Sequence, residues 1–255
     1  MPEIEATLLI CGNSPQQLAR DVIALQEIGV YHLSPPTNLS ITDCYFDTLT
    51  AALGQAGFNL RIRTQNEDVL ITLKGNPIQL SEDVSERMEI ERPWAIDGLQ
   101  EVLDILSDNN VVLEEYKLTF DTPLDGVLNG LGLDLIQKRQ NNRIARNITD
   151  TRSKERVAEI AVDQVTYQFG TDAVCHYELE VEVKDNGNAS DVQSIIDELK
   201  KTYPSDLHPW LNGKLSTGLA IESLCKDNRL QGLIRNDSSL PMSAYELIHG
   251  FLMEQ

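Results

Sequence analysis

Residues 61–93 read RIRTQNEDVLITLKGNPIQLSEDVSERMEIERP. Every second residue of a strand points to the same face. Arg61 and Arg63 therefore share one face and Leu60 and Ile62 the other. In VLITLKG, Leu70, Thr72 and Lys74 alternate with Val69, Ile71 and Leu73. In SERMEIERP, Ser85, Arg87, Glu89 and Glu91 alternate with Glu86, Met88 and Ile90. The stretch predicts three consecutive strands, each carrying a charged row of mixed sign, the first two backed by apolar residues.

The same pattern recurs elsewhere. PEIEATLLI (2–10) predicts a first strand with Glu3, Glu5, Thr7 and Leu9 on one face, although strands disfavour Glu. In CHYELEVEV (175–183), Glu178, Glu180 and Glu182 alternate with Leu179, Val181 and Val183, the cleanest period-2 signal in the chain. Leu39–Phe46, Val111–Phe120, a cation-rich run from Leu133 to Ile148, Arg156–Gln168 and Ala173–Lys184 complete about eight strand-like segments joined by short turns. Helices are expected from Ser14-Pro15 to about Ile28, stopped by Gly29, from Asp97 to about Leu106, from Ala189 to Tyr203, from Leu215 to Leu224 and from near Pro241. Residues 49–56 read as a loop or helical turn, and residues 121–132 as a polar, Gly-containing connection. The expected division is one domain over 1–226, with a linker and helix over 227–255. That terminal helix is a candidate lid, packing element or homo-oligomer contact.

With 255 residues, 41% of them hydrophobic and 24% charged, the chain is long enough for an ample core. The formal net charge of −19, from 21 basic and 40 acidic residues, argues against non-specific nucleic-acid binding, which needs a broad basic face. A small anion remains a fitting ligand because Arg61, Arg63, Lys74, Arg87, Lys138, Arg139, Arg143 and Arg146 gather in strand-like segments. No run of about 18 apolar residues and no basic-then-apolar leader pattern occurs, so neither a membrane partner nor secretion is expected. Cys11, Cys44, Cys175 and Cys225 are scattered without zinc-ligand spacing, which predicts reduced thiols and a cytoplasmic location.

The charged rows admit two arrangements. On an open sheet they face solvent, with the helices covering the apolar side. In a closed barrel alternate residues point inward, placing Glu3, Glu5, Arg61, Arg63, Lys74, Arg87, Glu89, Glu91, Arg139, Arg143, Asp163, Glu178 and Glu180 inside. A dry interior of that kind is prohibitive. A wet tunnel whose cations hold a polyanion and whose carboxylates hold hard metal ions removes the objection. Periodicity alone does not separate the two.

Six motifs in order do. EIEAT (3–7) resembles the ExExK signature of the CYTH superfamily, the triphosphate tunnel metalloenzymes. YFDT (45–48) with GFNLRIRTQNEDVLITLKG (57–75) is very similar to that family's "YFDT … L.LRIR … LTLKG" run. ERMEIERP (86–93) resembles its R-x-E-x-E segment, and IAVDQV (160–165), YELEVEVK (177–184) and GKLSTGL (213–219) follow. The resemblance covers residues 2 to about 222.

It implies an α+β fold, an eight-stranded antiparallel β tunnel with flanking helices, that binds a triphosphate-containing small molecule with Mg²⁺ or Mn²⁺. Carried over by position, Arg61, Arg63, Lys74, Arg87, Arg143 and Lys214 would grip phosphates, joined by Arg139, which shares strand parity with Arg143 in a run, QKRQNNR, that does not align cleanly with the family's basic strand. Glu3, Glu5, Glu178 and Glu180 would carry the metal, with Glu89, Glu91 and Asp163 as further ligands or orienting groups. Glu3, Glu5, Arg61 and Lys74 are the catalytic candidates. The implied chemistry is in-line attack on a phosphoryl group: hydrolysis of tripolyphosphate or an organic triphosphate, or cyclisation of ATP to cyclic AMP and pyrophosphate as in the family's adenylate cyclases. The motif lysine falls on Thr7 and the serine of its late Ser-Lys pair on Gly213, so non-catalytic triphosphate binding is a third expectation. The family's C-terminal helical phosphate-binding module is not expected in the remaining 30 or so residues.

Plainer roles are expected elsewhere. His176 reads as a satisfied or surface histidine, Trp94 and Trp210 as packing residues, and Asp47 and Thr48 as turn formers. Glu182 reads as a solvated strand end.

Overall fold

The computed structural model describes residues 2–115, 124–169 and 172–254. Among them are thirteen strands and seven helices: β1 (Glu3–Ile10), α1 (Pro15–Ala24), β2 (Glu27–Ile28), β3 (Tyr31–Leu33), β4 (Thr37–Asp47), α2 (Ala52–Gln55), β5 (Asn59–Gln65), β6 (Asp68–Lys74), β7 (Ile78–Gln79), β8 (Val84–Arg87), β9 (Glu89–Pro93), α3 (Ile96–Asp108), α4 (Leu124–Gly130), β10 (Asp134–Asp150), β11 (Arg156–Phe169), β12 (Asp172–Val183), α5 (Ala189–Thr202), β13 (Leu207–Pro209), α6 (Lys214–Lys226) and α7 (Met242–Met253). The class is α+β with antiparallel pairing, as expected. The strand count exceeds eight because β2, β3, β7 and β13 have two or three residues each, too few for a visible period of two, and because one expected strand is divided into β8 and β9. No helix among the described residues is long and apolar enough to cross a membrane.

The chain forms two compact units. The first comprises Ile41–Pro77 and Arg87–Lys138. Its strands run in the order β4-β5-β6-β9, each antiparallel to the next. Leu60, Ile62, Ile71 and Leu73 turn their face to Leu99, Val102 and Leu106 of α3 and to Leu128, Leu131 and Leu133, forming one buried core. Each such side chain contributes about 1.5–3 kcal/mol by leaving water. Asp47 builds the β4–α2 corner: its Oδ1 accepts the N–H groups of Thr48 and Leu53, and its Oδ2 that of Gly54. The strand expected over Val111–Phe120 is irregular at 111–115, and 116–120 lies outside the described residues. The connection expected over 121–132 contains α4; its first three residues also lie outside them.

The second unit comprises Glu3–Ser40, Ile78–Glu86 and the chain from Arg139 onward. Its strand order is β7-β8-β1-β12-β11-β10, with β13 on β1, β3 on β10 and β2 on β3. Leu8, Ile10, Ile160, Val162, Leu179 and Val181 pack against α1 and α5. Leu9, Val165, Tyr167 and Val174, of the opposite parity, pack against α6 and α7 through Trp210, Ile221, Leu224, Tyr245 and Ile248. The terminal helix is therefore a packing element of this unit.

Two expectations are corrected. Helix α1 ends at Ala24, short of Ile28, and Gly29 (φ +56°) turns the β2–β3 hairpin instead. The reason is tertiary: β3 pairs with β10, and the buried Arg146 donates to the carbonyls of Ile23, Leu25, Leu33 and Ser34, closing the helix end. The segment expected as one strand over 85–93 is two. It breaks at Met88, whose carbonyl accepts the Gly75 N–H; β8 joins β7 whereas β9 joins β6. Arg87 thus lies on a different strand from Glu89 and Glu91.

Candidate active site

In the second unit, antiparallel register decides which side chains meet, because directly opposed residues share a face. Glu178 on β12 lies opposite Asp163 on β11, and Asp163 lies opposite Arg143 on β10. Arg143 donates to both Asp163 oxygens, Nε–Oδ1 at 2.7 Å and Nη2–Oδ2 at 2.6 Å, and Nη2 also reaches Glu180 Oε2. This fork is the strong, bidentate kind of charge-assisted pair. Lys214, the first residue of α6, closes the group from outside the sheet. Its Nζ lies 3.0 Å from Asp163 Oδ2 and 2.5 Å from Glu180 Oε1, and against Glu178 Oε1. Helix α6 is aimed there by Tyr167, whose buried hydroxyl donates to the Lys214 carbonyl at 2.7 Å, and by Trp210, whose Nε1–H donates to Thr217 Oγ1 at 3.0 Å.

Carboxylate oxygens of Asp163, Glu178 and Glu180 lie within 4.8 Å of one another. Burial raises the Asp163 carboxyl, but Arg143 and Lys214 together outweigh it and hold the group well below the usual carboxylate range. Burial likewise lowers the Arg143 guanidinium, yet Asp163 and Glu180 raise it well above its ordinary value. Asp163 and Arg143 are thus charged together. Nearby, burial pushes Glu182 up, with Glu3 and Glu180 adding to it against Lys184. Three carboxylates converging in one place form a hard, all-oxygen donor set, which fits Mg²⁺ or Mn²⁺ and offers nothing to a thiophilic metal.

Glu5 pairs in register with Glu182 and Thr7 with Glu180, so Glu3 and Glu5 occupy the same face as the cluster, further toward the start of β1. Arg139 is buried on β10 opposite Tyr167. Burial, reinforced by the Lys214 and then the Arg139 charge, takes His176 down to about 3, so its ring is neutral. Its Nε2 lies 2.6 Å from Glu178 Oε2 and its Nδ1 3.0 Å from Tyr245 Oη. His176 is a satisfied buried histidine, as its plainer reading had it.

The first unit carries a second ionic cluster. Arg63 makes a fork with the buried Asp43, Nε–Oδ1 at 2.8 Å and Nη2–Oδ2 at 3.1 Å. Arg61 lies 3.7 Å from Asp43, 3.3 Å from Glu91 and 3.8 Å from Glu89. Thr72 donates to Glu91 at 3.0 Å and accepts from Arg61 at 3.2 Å, and Lys74 lies 3.2 Å from Glu89. Burial opposes the Arg61 charge, but Asp43, Tyr45, Glu89 and Glu91 raise it above its ordinary value.

Of the residues singled out in the sequence, the structure brings Arg143, Asp163, Glu178, Glu180 and Lys214 together in one cluster, and Arg61, Arg63, Lys74, Glu89 and Glu91 in the other. The sequence reading misses Asp43 and Tyr245. Asp43 was within reach, two residues before Tyr45 in ITDCYFDT and of the same parity. Tyr245 lies on a helix 67 residues beyond Glu178 in sequence, with no local signal connecting them.

No curated protein matches the chain by sequence. The fold is similar to that of HpAC1 from Hippeastrum, described as a candidate adenylyl cyclase with a dominant triphosphatase activity; identity is 21%, coverage 86% of this chain and 96% of that one, and the TM-score 0.56. It is also similar to a Bacillus halodurans protein described as a candidate adenylate cyclase, with 18% identity, coverage of 84% and 95%, and a TM-score of 0.51. The CYTH domain model matches residues 1–207, most of the chain and both ionic clusters but for Lys214. The chain belongs to the CYTH family.

Proposed function

We propose that this chain is a divalent-metal-dependent hydrolase of a linear triphosphate, either inorganic tripolyphosphate or an organic triphosphate. The observation that carries the reading is the convergence of Asp163, Glu178 and Glu180 within 4.8 Å, with Arg143 and Lys214 pressed against them. Buried carboxylates and cations matched on one sheet face suit a ligand that is itself a polyanion bound with cations.

Asp163, Glu178 and Glu180 would hold Mg²⁺ or Mn²⁺, with Glu3 and Glu5 contributing from β1. The metal supplies charge neutralisation at the phosphate oxygens. Arg143, Lys214 and Arg139 would bind those oxygens. Arg61, Arg63, Lys74 and Arg87 are further phosphate cations by their match to the family motif, and Glu89 and Glu91 orient them. Residues 1–226 form the triphosphate-binding domain, extended by 227–255, and the protein acts in the cytoplasm.

The test is phosphate release from tripolyphosphate, ATP and thiamine triphosphate with Mg²⁺ or Mn²⁺. Release from one of them supports the reading, and no release from any overturns it. Cyclic AMP with pyrophosphate from ATP would assign cyclase activity instead, an alternative raised by the descriptions of both similar structures. Tight tripolyphosphate binding without turnover would make the protein a binder.

A further inference from the structure

We propose that His176 and Tyr245 are positioning residues for Glu178, which makes the C-terminal helix α7 part of the apparatus that presents the carboxylate cluster to its metal. The inference rests on the metal-binding reading above.

Tyr245, His176 and Glu178 form one buried chain, with exposures of 1%, 0% and 1%. Tyr245 Oη lies 3.0 Å from His176 Nδ1, and His176 Nε2 lies 2.6 Å from Glu178 Oε2. Hydrogen-bond chemistry fixes the direction. An ionised carboxylate only accepts, so Nε2 carries the proton and donates. The Nδ1 of that neutral ring is then a lone pair, and Tyr245 donates its hydroxyl hydrogen to it.

This chain assigns different tasks to the two oxygens of Glu178. Oε2 is committed to His176. Oε1 is buried and faces the Lys214 ammonium, which also touches Asp163 and Glu180. Oε1 is thus the oxygen turned toward the point where the three carboxylates converge. A histidine donating to a carboxylate ligand, with a phenol fixing its tautomer, is an outer support of the kind that sets carboxylate orientation.

The support is itself rigid. Trp210 meets the Tyr245 ring edge-on, with centroids 5.6 Å apart at 71°, and Tyr245 sits in one core with Ile221, Leu224 and Ile248. Helix α7 lies outside the residues matched by the family model.

The experiment is Mn²⁺ binding to the full chain, read from the electron paramagnetic resonance of the free ion, for wild type, Tyr245→Phe and His176→Gln, with thermal melts as a folding control. His176→Gln is expected to weaken Mn²⁺ binding by about tenfold or more, with a smaller loss for Tyr245→Phe, which removes one oxygen. Folded variants that bind Mn²⁺ as wild type does overturn the inference and leave the metal site standing. A wild type that binds no Mn²⁺ overturns the metal reading, and the inference with it. Should neither variant fold, nitrogen-15 spectra of the wild-type histidines decide. The solvent-shielded ring should be protonated at Nε2 and shift on adding Mg²⁺, and a ring protonated at Nδ1, or one indifferent to Mg²⁺, overturns it.

Discussion

Thr7 on β1 lies directly opposite Glu180 on β12, and the ammonium that reaches Glu180 Oε1, at 2.5 Å, comes from Lys214 on α6. The lysine of the family's ExExK signature falls on Thr7, so a cation is missing from β1. At the same carboxylate a cation arrives from the other side of the sheet's sequence, through a helix start. Lys214→Gln should therefore lower tripolyphosphate hydrolysis by about a hundredfold or more, the scale of losing one preorganised charge contact. It should also make the fold more dependent on divalent cation: Mg²⁺ should raise the melting temperature more in the variant than in wild type, because it relieves repulsion among three carboxylates. Adding Thr7→Lys to that variant should restore part of both losses. Equal Mg²⁺ effects on the two proteins would refute this account of Lys214.

Asp43 anchors the other cluster. It is fully buried, forks with Arg63 and lies beside Arg61. Removing one member of a buried ion pair strands the remaining charge, at a cost of about 3–5 kcal/mol. Asp43→Ala should lower the unfolding free energy by that amount, read as a lower urea midpoint at an unchanged m-value, and Asp43→Asn, which still accepts a hydrogen bond, by less. Arg92, exposed and paired with the exposed Glu101, provides the contrast: Arg92→Ala should cost under about 1 kcal/mol.

These two clusters also show what the sequence could and could not convey. Period-2 alternation carries face information, so the partition of Arg61, Lys74, Glu178 and Glu180 from their apolar neighbours is legible. Register is not: that Asp163 meets both Glu178 and Arg143 depends on three strands being paired without slip. The break at Met88 is invisible because Ser85–Pro93 alternates smoothly, and only the competing pairings of β8 and β9 divide it. The early end of α1 is hidden for a similar reason. Leu25 and Ile28 fit a helical stripe, but β3 pairing and the Arg146 carbonyl contacts hold the chain otherwise. Contacts such as His176 to Tyr245 join a strand to a helix 69 residues away, beyond any local pattern.

Helix α6 begins without a side-chain cap at Gly213, whose backbone is extended (φ −67°, ψ 160°), and a Cβ there would meet nothing within 4 Å. A serine at this position can accept a backbone N–H of the first turn and restores the Ser-Lys pair of the family motif. Gly213→Ser should stabilise the protein by a few tenths of a kcal/mol, since glycine is itself a tolerable cap. A small rise in melting temperature with unchanged turnover is expected; a fall would mean that the helix start needs glycine's freedom.

Cys11 joins the end of β1 to α7. Its thiol is buried and 3.6 Å from the sulfur of Met242, the first residue of that helix. Burial pushes the thiol up to about 11, against the pull of Arg235. At pH 7 only about one thiol in ten thousand is then the reactive thiolate, and that one is shielded. Cys44, Cys175 and Cys225 are half-buried, and all four cysteines carry thiols rather than disulfides. Alkylation followed by peptide mass spectrometry should therefore modify Cys11 last. Met242→Ala, which thins the cover over Cys11, should speed that modification without altering the other three. A Cys11 that reacts as fast as Cys225 in the native protein would mean that α7 does not rest on β1 in solution, and the support of Glu178 through Tyr245 would lose its footing with it.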